Sequence, residues 1–243
     1  MSPAGVPRAV RRTVSPLRVA FYWTIRTLAL PLARAYLRLR VEGRSRVPAS
    51  GPCLIVANHT SYLDAAVLGA SCPRRITFMI TEPIYRMARM RWFYYLMGSI
   101  PVAPETPDPG ALKAALRTLQ QGGVLGIFPE GQRMPDGRPG EGKSGASLIA
   151  ARTGAPVVPA LILGAFESRP VGSLLPRPAR VRVIFGEPLR FPAGAERRAS
   201  RTELERFTRQ LMAAIVSLKQ APIGDAASGR ADVAAGARED ASP

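Results

Sequence analysis

Apolar residues along this chain follow two spacings, short continuous runs and longer stretches with gaps of three and four, and the two alternate. Runs at 39–41, 53–57, 76–80, 100–102, 124–128, 157–163 and 181–185 have the length and composition of strands. Helical spacing occupies 62–69, 84–97, 109–121 and 144–153, and a last helix is expected at 201–219. Strands alternating with helices predict an α/β fold, a mixed, largely parallel sheet flanked by helices. The sequence contains no internal repeat.

The two ends read differently. Residues 1–16 are basic and rich in proline and small residues, with Arg8, Arg11 and Arg12, and are expected to form a flexible arm. Residues 221–243 carry almost no large apolar groups and read as a disordered tail, which leaves 39–220 as the main domain. The segment 17–38 is aromatic and leucine-rich, yet Arg18, Arg26, Arg34 and Arg38 interrupt it. It therefore lacks the roughly 20 uninterrupted apolar residues of a spanning helix, and Pro31 is expected to bend or divide it. Such a pattern describes an amphipathic helix lying in a membrane interface. A cleaved signal peptide fits less well, because arginines invade the apolar region. An ordinary amphipathic helix docked on the core stays open.

Composition narrows the partners. The 243 residues suffice for one sizeable core, with 47% hydrophobic residues and a mean hydropathy of +0.03. Lysine and arginine number 34 against 17 acidic residues, a net charge of +17 that points to an anionic membrane surface or a phosphorylated substrate. Nucleic acid is the other anionic partner, but the basic residues are spread along the chain without a binding motif, so none is expected. Cys53 and Cys72 have neither metal-ligand spacing nor a disulfide framework, and there is one histidine, so no metal site is expected and a reducing compartment fits.

That histidine, His59, follows the apolar run Cys53-Leu54-Ile55-Val56-Ala57, and Asn58, Thr60 and Ser61 around it supply potential helix caps. On one regular helix, His59 and Asp64 would point about 140° apart. They meet only if the histidine lies in the loop and the aspartate in the first helical turn. A carboxylate there would orient the ring and leave its second nitrogen as a general base. On these two residues alone, a purely structural histidine beside a helix-start aspartate is an equal reading.

The strand at 124–128 leads into Pro129-Glu130-Gly131-Gln132-Arg133. A carboxylate and a guanidinium just past a strand end, with glycine permitting close backbone approach, suit an anionic ligand. Lys143 and Ser144 open the next helix, whose positive end also favours an anion. An exposed Glu130–Arg133 turn pair is the plainer alternative. The stretch Met87-Ala88-Arg89-Met90-Arg91-Trp92-Phe93-Tyr94-Tyr95-Leu96-Met97 could line an apolar groove, touch lipid or simply fill the core.

Asn58-His59-Thr60-Ser61-Tyr62-Leu63-Asp64 resembles the histidine–aspartate signature of the glycerolipid acyltransferases, closest to the 1-acylglycerol-3-phosphate acyltransferase branch. Phe128-Pro129-Glu130-Gly131-Gln132-Arg133 resembles that family's glutamate–glycine–arginine block. Gly98-Ser99-Ile100-Pro101-Val102 resembles the block between these two. Lys143-Ser144-Gly145-Ala146 and Val157-Val158-Pro159-Ala160 resemble those that follow. The five ordered motifs cover roughly residues 40 to 190. The chain departs from the family twice. Ala103-Pro104-Glu105-Thr106 stands where an arginine associated with the acceptor phosphate is usual, and Gln132 replaces a threonine.

The resemblance implies transfer of a fatty acyl group from acyl-CoA or acyl carrier protein to the free hydroxyl of 1-acylglycerol 3-phosphate, giving phosphatidic acid. The missing arginine keeps another lysolipid acceptor open. It implies that His59 is the base and Asp64 its orienting partner, with no nucleophilic serine or cysteine and no metal or organic cofactor. Glu130, Gly131, Arg133 and Lys143 are implied to bind substrate phosphate. Asn58, Ser61, Gly98 and Pro129 are implied to shape the site or its oxyanion hole, with backbone N–H groups at the helix start or around Gly131 as donors. A peripheral position on the cytoplasmic face of the membrane follows from the basic N-terminal segment. The rivals are a non-catalytic basic membrane-binding or nucleic-acid-binding protein, and an α/β hydrolase. The hydrolase is disfavoured because no Gly-x-Ser-x-Gly elbow occurs.

Overall fold

The computed structural model describes residues 15–104, 106–134, 140–169, 175–192 and 199–220. The expected tail at 221–243, and all but the last two residues of the expected arm at 1–16, lie outside the described residues.

Seven strands form one sheet: β1 (Arg40–Glu42), β2 (Cys53–Ala57), β3 (Ile76–Thr81), β4 (Ile100–Val102), β5 (Val124–Ile127), β6 (Val157–Leu163) and β7 (Arg182–Phe185). Their order is β1-β7-β6-β2-β5-β3-β4. Every neighbouring pair is parallel except β6 with β7, so the sheet is mixed and largely parallel, as the alternation of patterns predicts. Strand β2 lies between β6 and β5, and all five of its residues are buried. That position explains its unbroken apolar run, because a central parallel strand is covered on both faces.

Alternate β2 residues feed two cores. Cys53, Ile55 and Ala57 pack with α1 (Pro16–Tyr36) and α2 (Asp64–Ser71) through Leu30, Ala33, Val67 and Leu68. Leu54 and Val56 pack on the opposite face. There they meet α5 (Pro109–Gln120), α6 (Gly145–Thr153) and α8 (Arg201–Ser217) through Leu119, Ile149, Phe207 and Leu211. Two short helices, α3 (Glu82–Tyr85) and α4 (Arg91–Met97), lie between β3 and β4, and α7 (Ala165–Ser168) follows β6. Each fully buried Leu, Ile or Phe side chain contributes about 1.5–3 kcal/mol relative to exposure.

Three elements differ from expectation. Helix α1 runs unbroken through Pro31. The proline removes one bond to the Thr27 carbonyl, and both residues are exposed, so water can satisfy the freed oxygen. The helix expected at 84–97 is two helices, α3 and α4, joined by turns at 86–90. The first half packs on β3 and β4 while the second packs on α1, where Phe21 meets Trp92 and Phe93 edge-on. One straight rod cannot serve both. At α2 the N-cap is Leu63, and no side-chain hydroxyl or amide caps it.

Helix α1 docks through one face. Tyr22 is buried, its hydroxyl donating to Gly69 O at 3.4 Å and accepting from Ile76 N–H at 3.2 Å, while Arg26 donates to Cys72 O at 3.0 Å. The docked-helix reading therefore holds for this face. Leu17, Phe21, Leu28 and Leu32 fall within about 60° on the other side, and the three leucines are each 67% exposed. No described helix is long and apolar enough to cross a membrane.

Candidate active site

Strands β2 and β5 are hydrogen-bonded neighbours, so the residues that leave their carboxyl ends emerge side by side. Open α/β sheets place ligand sites at such ends. Asn58 leaves β2 first. Its side-chain Nδ2–H donates to Ile162 O at 3.0 Å and its Oδ1 accepts from Ile162 N–H at 2.7 Å. The amide thereby extends the β2–β6 ladder by one rung past Ala57, and fixes where the next residue starts.

That residue is His59. Its Nδ1 lies 2.9 Å from Asp64 Oδ2, in the first turn of α2. The same oxygen accepts the Thr60 and Ser61 N–H groups at 2.6 and 2.7 Å. One carboxylate oxygen thus gathers two loop amides and the ring, in place of the hydroxyl caps expected from sequence. Asp64 is completely buried, and its Oδ1 has no hydrogen-bond partner among the described residues. Because Asp64 Oδ2 already accepts two N–H groups, the tautomer with its proton on Nδ1 gives it a third donor and leaves Nε2 as the nitrogen that can accept a proton.

The ring rests on Phe128, stacked at 4.2 Å, and Phe128 is parallel to Phe78 at 6.0 Å. Gly126 makes this stack possible. A Cβ there would lie 2.7 Å from Ile76 Cγ2 and 2.8 Å from the Phe78 ring, so any side chain would push Phe78 aside. The His59 side chain keeps 21% of its surface open.

The second loop clasps the first. His59 N–H donates to Glu130 Oε2 at 3.1 Å, and His59 O accepts from Met134 N–H at 2.9 Å. Pro129 O accepts from Lys143 N–H at 2.8 Å, which draws the start of α6 to the same place. Gly131 has a φ of 72°, and a Cβ on it would lie 3.1 Å from Lys143 Nζ, so the ammonium lies directly over this glycine. Arg133 stacks its guanidinium 3.4 Å from the centre of the Tyr62 ring. Tyr94 of α4 borders this corner. Burial pushes its phenol up, Tyr62 adds to the rise, and Arg133 opposes it.

The structure therefore unites His59, Asp64, Asn58, Ser61, Pro129, Glu130, Gly131, Arg133 and Lys143 at one sheet edge. It does not bring Gly98 there. Gly98 ends α4 at the amino end of β4, three strands away from β2 and on the opposite edge, against Arg75. Ser61 is wholly buried, with its hydroxyl donating to Arg169 O at 2.9 Å and accepting from Leu63 N–H at 3.3 Å. Ser144 holds the N-cap position of α6 without a capping bond. The N–H of Gly131 turns inward to Phe128 O at 3.2 Å. Cys53 is a buried core thiol, pushed up to about 12 by burial. Sequence reasoning passed over Phe128 as a platform, Tyr62 as a stacking surface and Arg169 altogether. Phe128 was visible as part of a motif; Arg169 carried no local signal. Among the described residues no three His, Cys, Asp or Glu side chains cluster as metal ligands.

Fold and site together define a class: an α/β domain with an imidazole–carboxylate pair at the carboxyl ends of its central strands, beside the cationic Arg133 and Lys143. The family model "Acyltransferase" matches residues 38–163. The chain belongs to the acyltransferase family. It is 34% identical over 158 residues to the chloroplastic 1-acyl-sn-glycerol-3-phosphate acyltransferase BAT2 of Brassica napus, covering 63% of this chain and 46% of that one. It is 30% identical over 152 residues to the 1-acyl-sn-glycerol-3-phosphate acyltransferase of Bacillus subtilis, covering 62% of this chain and 73% of that one. The chain thus spans just under half the length of the chloroplast relative. The crystal structure of the 1-acyl-sn-glycerophosphate acyltransferase PlsC from Thermotoga maritima shares the fold, with a TM-score of 0.66 at 24% identity over 84% of this chain and 80% of that one.

Proposed function

We propose that this protein transfers a fatty acyl group from a thioester, acyl-CoA or acyl carrier protein, to the free hydroxyl of 1-acylglycerol 3-phosphate, forming phosphatidic acid. The observation that carries the proposal is the buried Asp64 carboxylate 2.9 Å from Nδ1 of the partly exposed His59 ring. Nε2 of His59 removes the acceptor's hydroxyl proton as the oxygen attacks the thioester carbonyl. The tetrahedral intermediate collapses, the carbon–sulfur bond breaks, and the imidazolium returns its proton to the departing thiolate. Asp64 stabilises the imidazolium between these steps. Glu130 acts by position, holding the His59 main chain, while Arg133 and Lys143 attract the acceptor phosphate. The similarity to the 1-acyl-sn-glycerol-3-phosphate acyltransferases of Brassica napus and Bacillus subtilis supports this acceptor.

The exposed stripe of Leu17, Leu28 and Leu32, continued through Phe21 to the exposed Trp92, supports a peripheral seat on an anionic bilayer. Arg18, stacked 3.9 Å over Tyr95, lies at the junction of α1 and α4. A cytoplasmic-face location is part of the same proposal, since anionic lipid attracts the surplus of basic residues.

The test is acyl transfer by the purified protein with lysophosphatidic acid, offered beside other lysolipids and glycerol 3-phosphate, with His59→Ala as control. Acylation of lysophosphatidic acid that His59→Ala abolishes is the expected result. Transfer only to another lysolipid overturns the acceptor assignment, and an active His59→Ala protein overturns the mechanism.

A further inference from the structure

Arg169 belongs to none of the five motifs. It follows α7 at the carboxyl end of β6, the strand that flanks β2 on the side away from β5. Its main-chain carbonyl accepts from Ser61 Oγ at 2.9 Å, so the residue is held against the His59 loop independently of its own side chain. Its guanidinium carbon lies 4.9 Å from the centre of the Tyr62 ring, and that of Arg133 lies 3.4 Å from the same centre. Two cations from different strand ends thus converge on one aromatic ring, within about 8 Å of each other.

Both are tied to the loop that bears the base. Arg133 immediately precedes Met134, whose N–H donates to His59 O at 2.9 Å, and Arg169 accepts from Ser61 through its own carbonyl. Tyr62 is three residues beyond His59 and 46% exposed, so the convergence opens to solvent beside the histidine. An anion at the edge of that ring is attracted by both cations. Stacking on the ring fixes the plane of a guanidinium and hence the direction of its N–H groups. A phosphate monoester, with up to two charges and three terminal oxygens, matches two such forks; a neutral hydroxyl headgroup does not.

We infer that Arg133 and Arg169, arrayed on Tyr62, form a two-guanidinium clamp for the phosphate monoester of the acyl acceptor, with Arg169 as a specificity-determining residue. The inference rests on the acyl-transfer reading above. The clamp holds the headgroup while the acceptor's free hydroxyl is presented to His59.

The experiment compares the full chain with Arg169→Ala, Arg169→Gln and Arg169→Lys, using a long-chain acyl-CoA donor. Two acceptors with one acyl chain are offered, 1-acylglycerol 3-phosphate and the phosphate-free 1-acylglycerol. Because Ser61 bonds the Arg169 carbonyl, truncation leaves that bond in place, and thermal unfolding of each variant reads out any loss of the side chain's other contacts. The KM for the phosphate-bearing acceptor is expected to rise roughly 10- to 100-fold in Arg169→Ala and Arg169→Gln, and less in Arg169→Lys. The phosphate-free acceptor and the donor KM should be unaffected. An equal fall in kcat for both acceptors overturns the clamp, as does a rise in the acyl-CoA KM alone, which would assign Arg169 to the donor's phosphates. Calorimetric titration with glycerol 3-phosphate and with glycerol separates the two proposals. Phosphate binding that weakens in Arg169→Ala supports the clamp even if the wild type transfers no acyl group. Transfer by the wild type with phosphate binding indifferent to Arg169 overturns the clamp alone.

Discussion

Replacing Asp64 by asparagine separates the two things this side chain does. Its Oδ2 accepts Thr60 N–H, Ser61 N–H and the His59 ring at 2.6, 2.7 and 2.9 Å, while Oδ1 has no partner among the described residues. An asparagine with its oxygen in the Oδ2 place keeps all three acceptances, and its NH2 takes the unpartnered place. The opposite flip sets NH2 against two N–H donors and is excluded. Charge-assisted bonds are about twice as strong as neutral ones, so three weakened bonds forfeit about 3 kcal/mol. Relief of the buried carboxylate's desolvation offsets most of that, and the net loss of stability is about 1 kcal/mol. Catalysis has no such offset. Imidazolium and carboxylate centres about 4 Å apart attract by about 4 kcal/mol at an effective dielectric constant near 20. Losing that attraction lowers kcat by about three orders of magnitude. Initial-rate acyl transfer, with thermal unfolding of the same preparation, tests both numbers. Asp64→Ala is the counterpart. It orphans two buried N–H groups and should cost about 2–6 kcal/mol, enough to disturb the loop itself. A folded Asp64→Asn protein with kcat within tenfold of the wild type refutes the electrostatic role of Asp64 and leaves it as a loop clasp.

Other outcomes follow from the same geometry. Gly131→Ala imposes a side chain at φ 72° and 3.1 Å from Lys143 Nζ, so it should cost about 1–2 kcal/mol in chemical denaturation and raise the acceptor KM by displacing the ammonium. Asn58→Ala strands both main-chain groups of Ile162 and should lower stability by about 2–4 kcal/mol, with faster amide exchange at Ile162 as the local readout. Tyr22→Phe removes the bond to Ile76 N–H and should cost about 1–2 kcal/mol. Burial raises the Tyr22 phenol above its ordinary value of 10.0. Its contribution is therefore complete below about pH 10 and declines as pH rises towards the folded-state value. Denaturation midpoints measured from pH 8 to 11 should fall more steeply in the wild type than in Tyr22→Phe.

The strands were legible because burial on both faces writes itself as an unbroken run. Cys53–Ala57, Ile100–Val102 and Val157–Leu163 stand where the pattern placed them, and the other four strands shift by a single residue at one or both ends. The meeting of His59 with Asp64 was legible because a spacing of five admits it only across a loop-to-helix junction. What stayed hidden depends on partners far along the chain. The break at 86–90 arises because the two halves of one helical pattern pack on different elements. Pro31 passes through α1 because the freed carbonyl faces water. The cap of α2 falls to a carboxylate reaching backward, a competition that local propensity does not resolve. Arg169 reaches the site only because β6 lies next to β2 while being 104 residues later in sequence, a neighbourhood that belongs to the sheet order alone.

That sheet order also separates what can vary from what cannot. The loops bearing His59 and Glu130 are adjacent because β2 pairs with β5, yet the chain between them travels out through β3, α3 and α4 to the edge strand β4 before returning. The excursion is a detachable outer panel. Insertions, deletions or exchanged segments in residues 82–99 would remodel the surface that Tyr94 presents beside Tyr62 and Arg133 while leaving the β2–β5 pairing that sets the two loops in register. A chimaera carrying that panel from a relative separates what the outer segment contributes from what the two loops contribute, because the β2–β5 pairing passes through the exchange untouched.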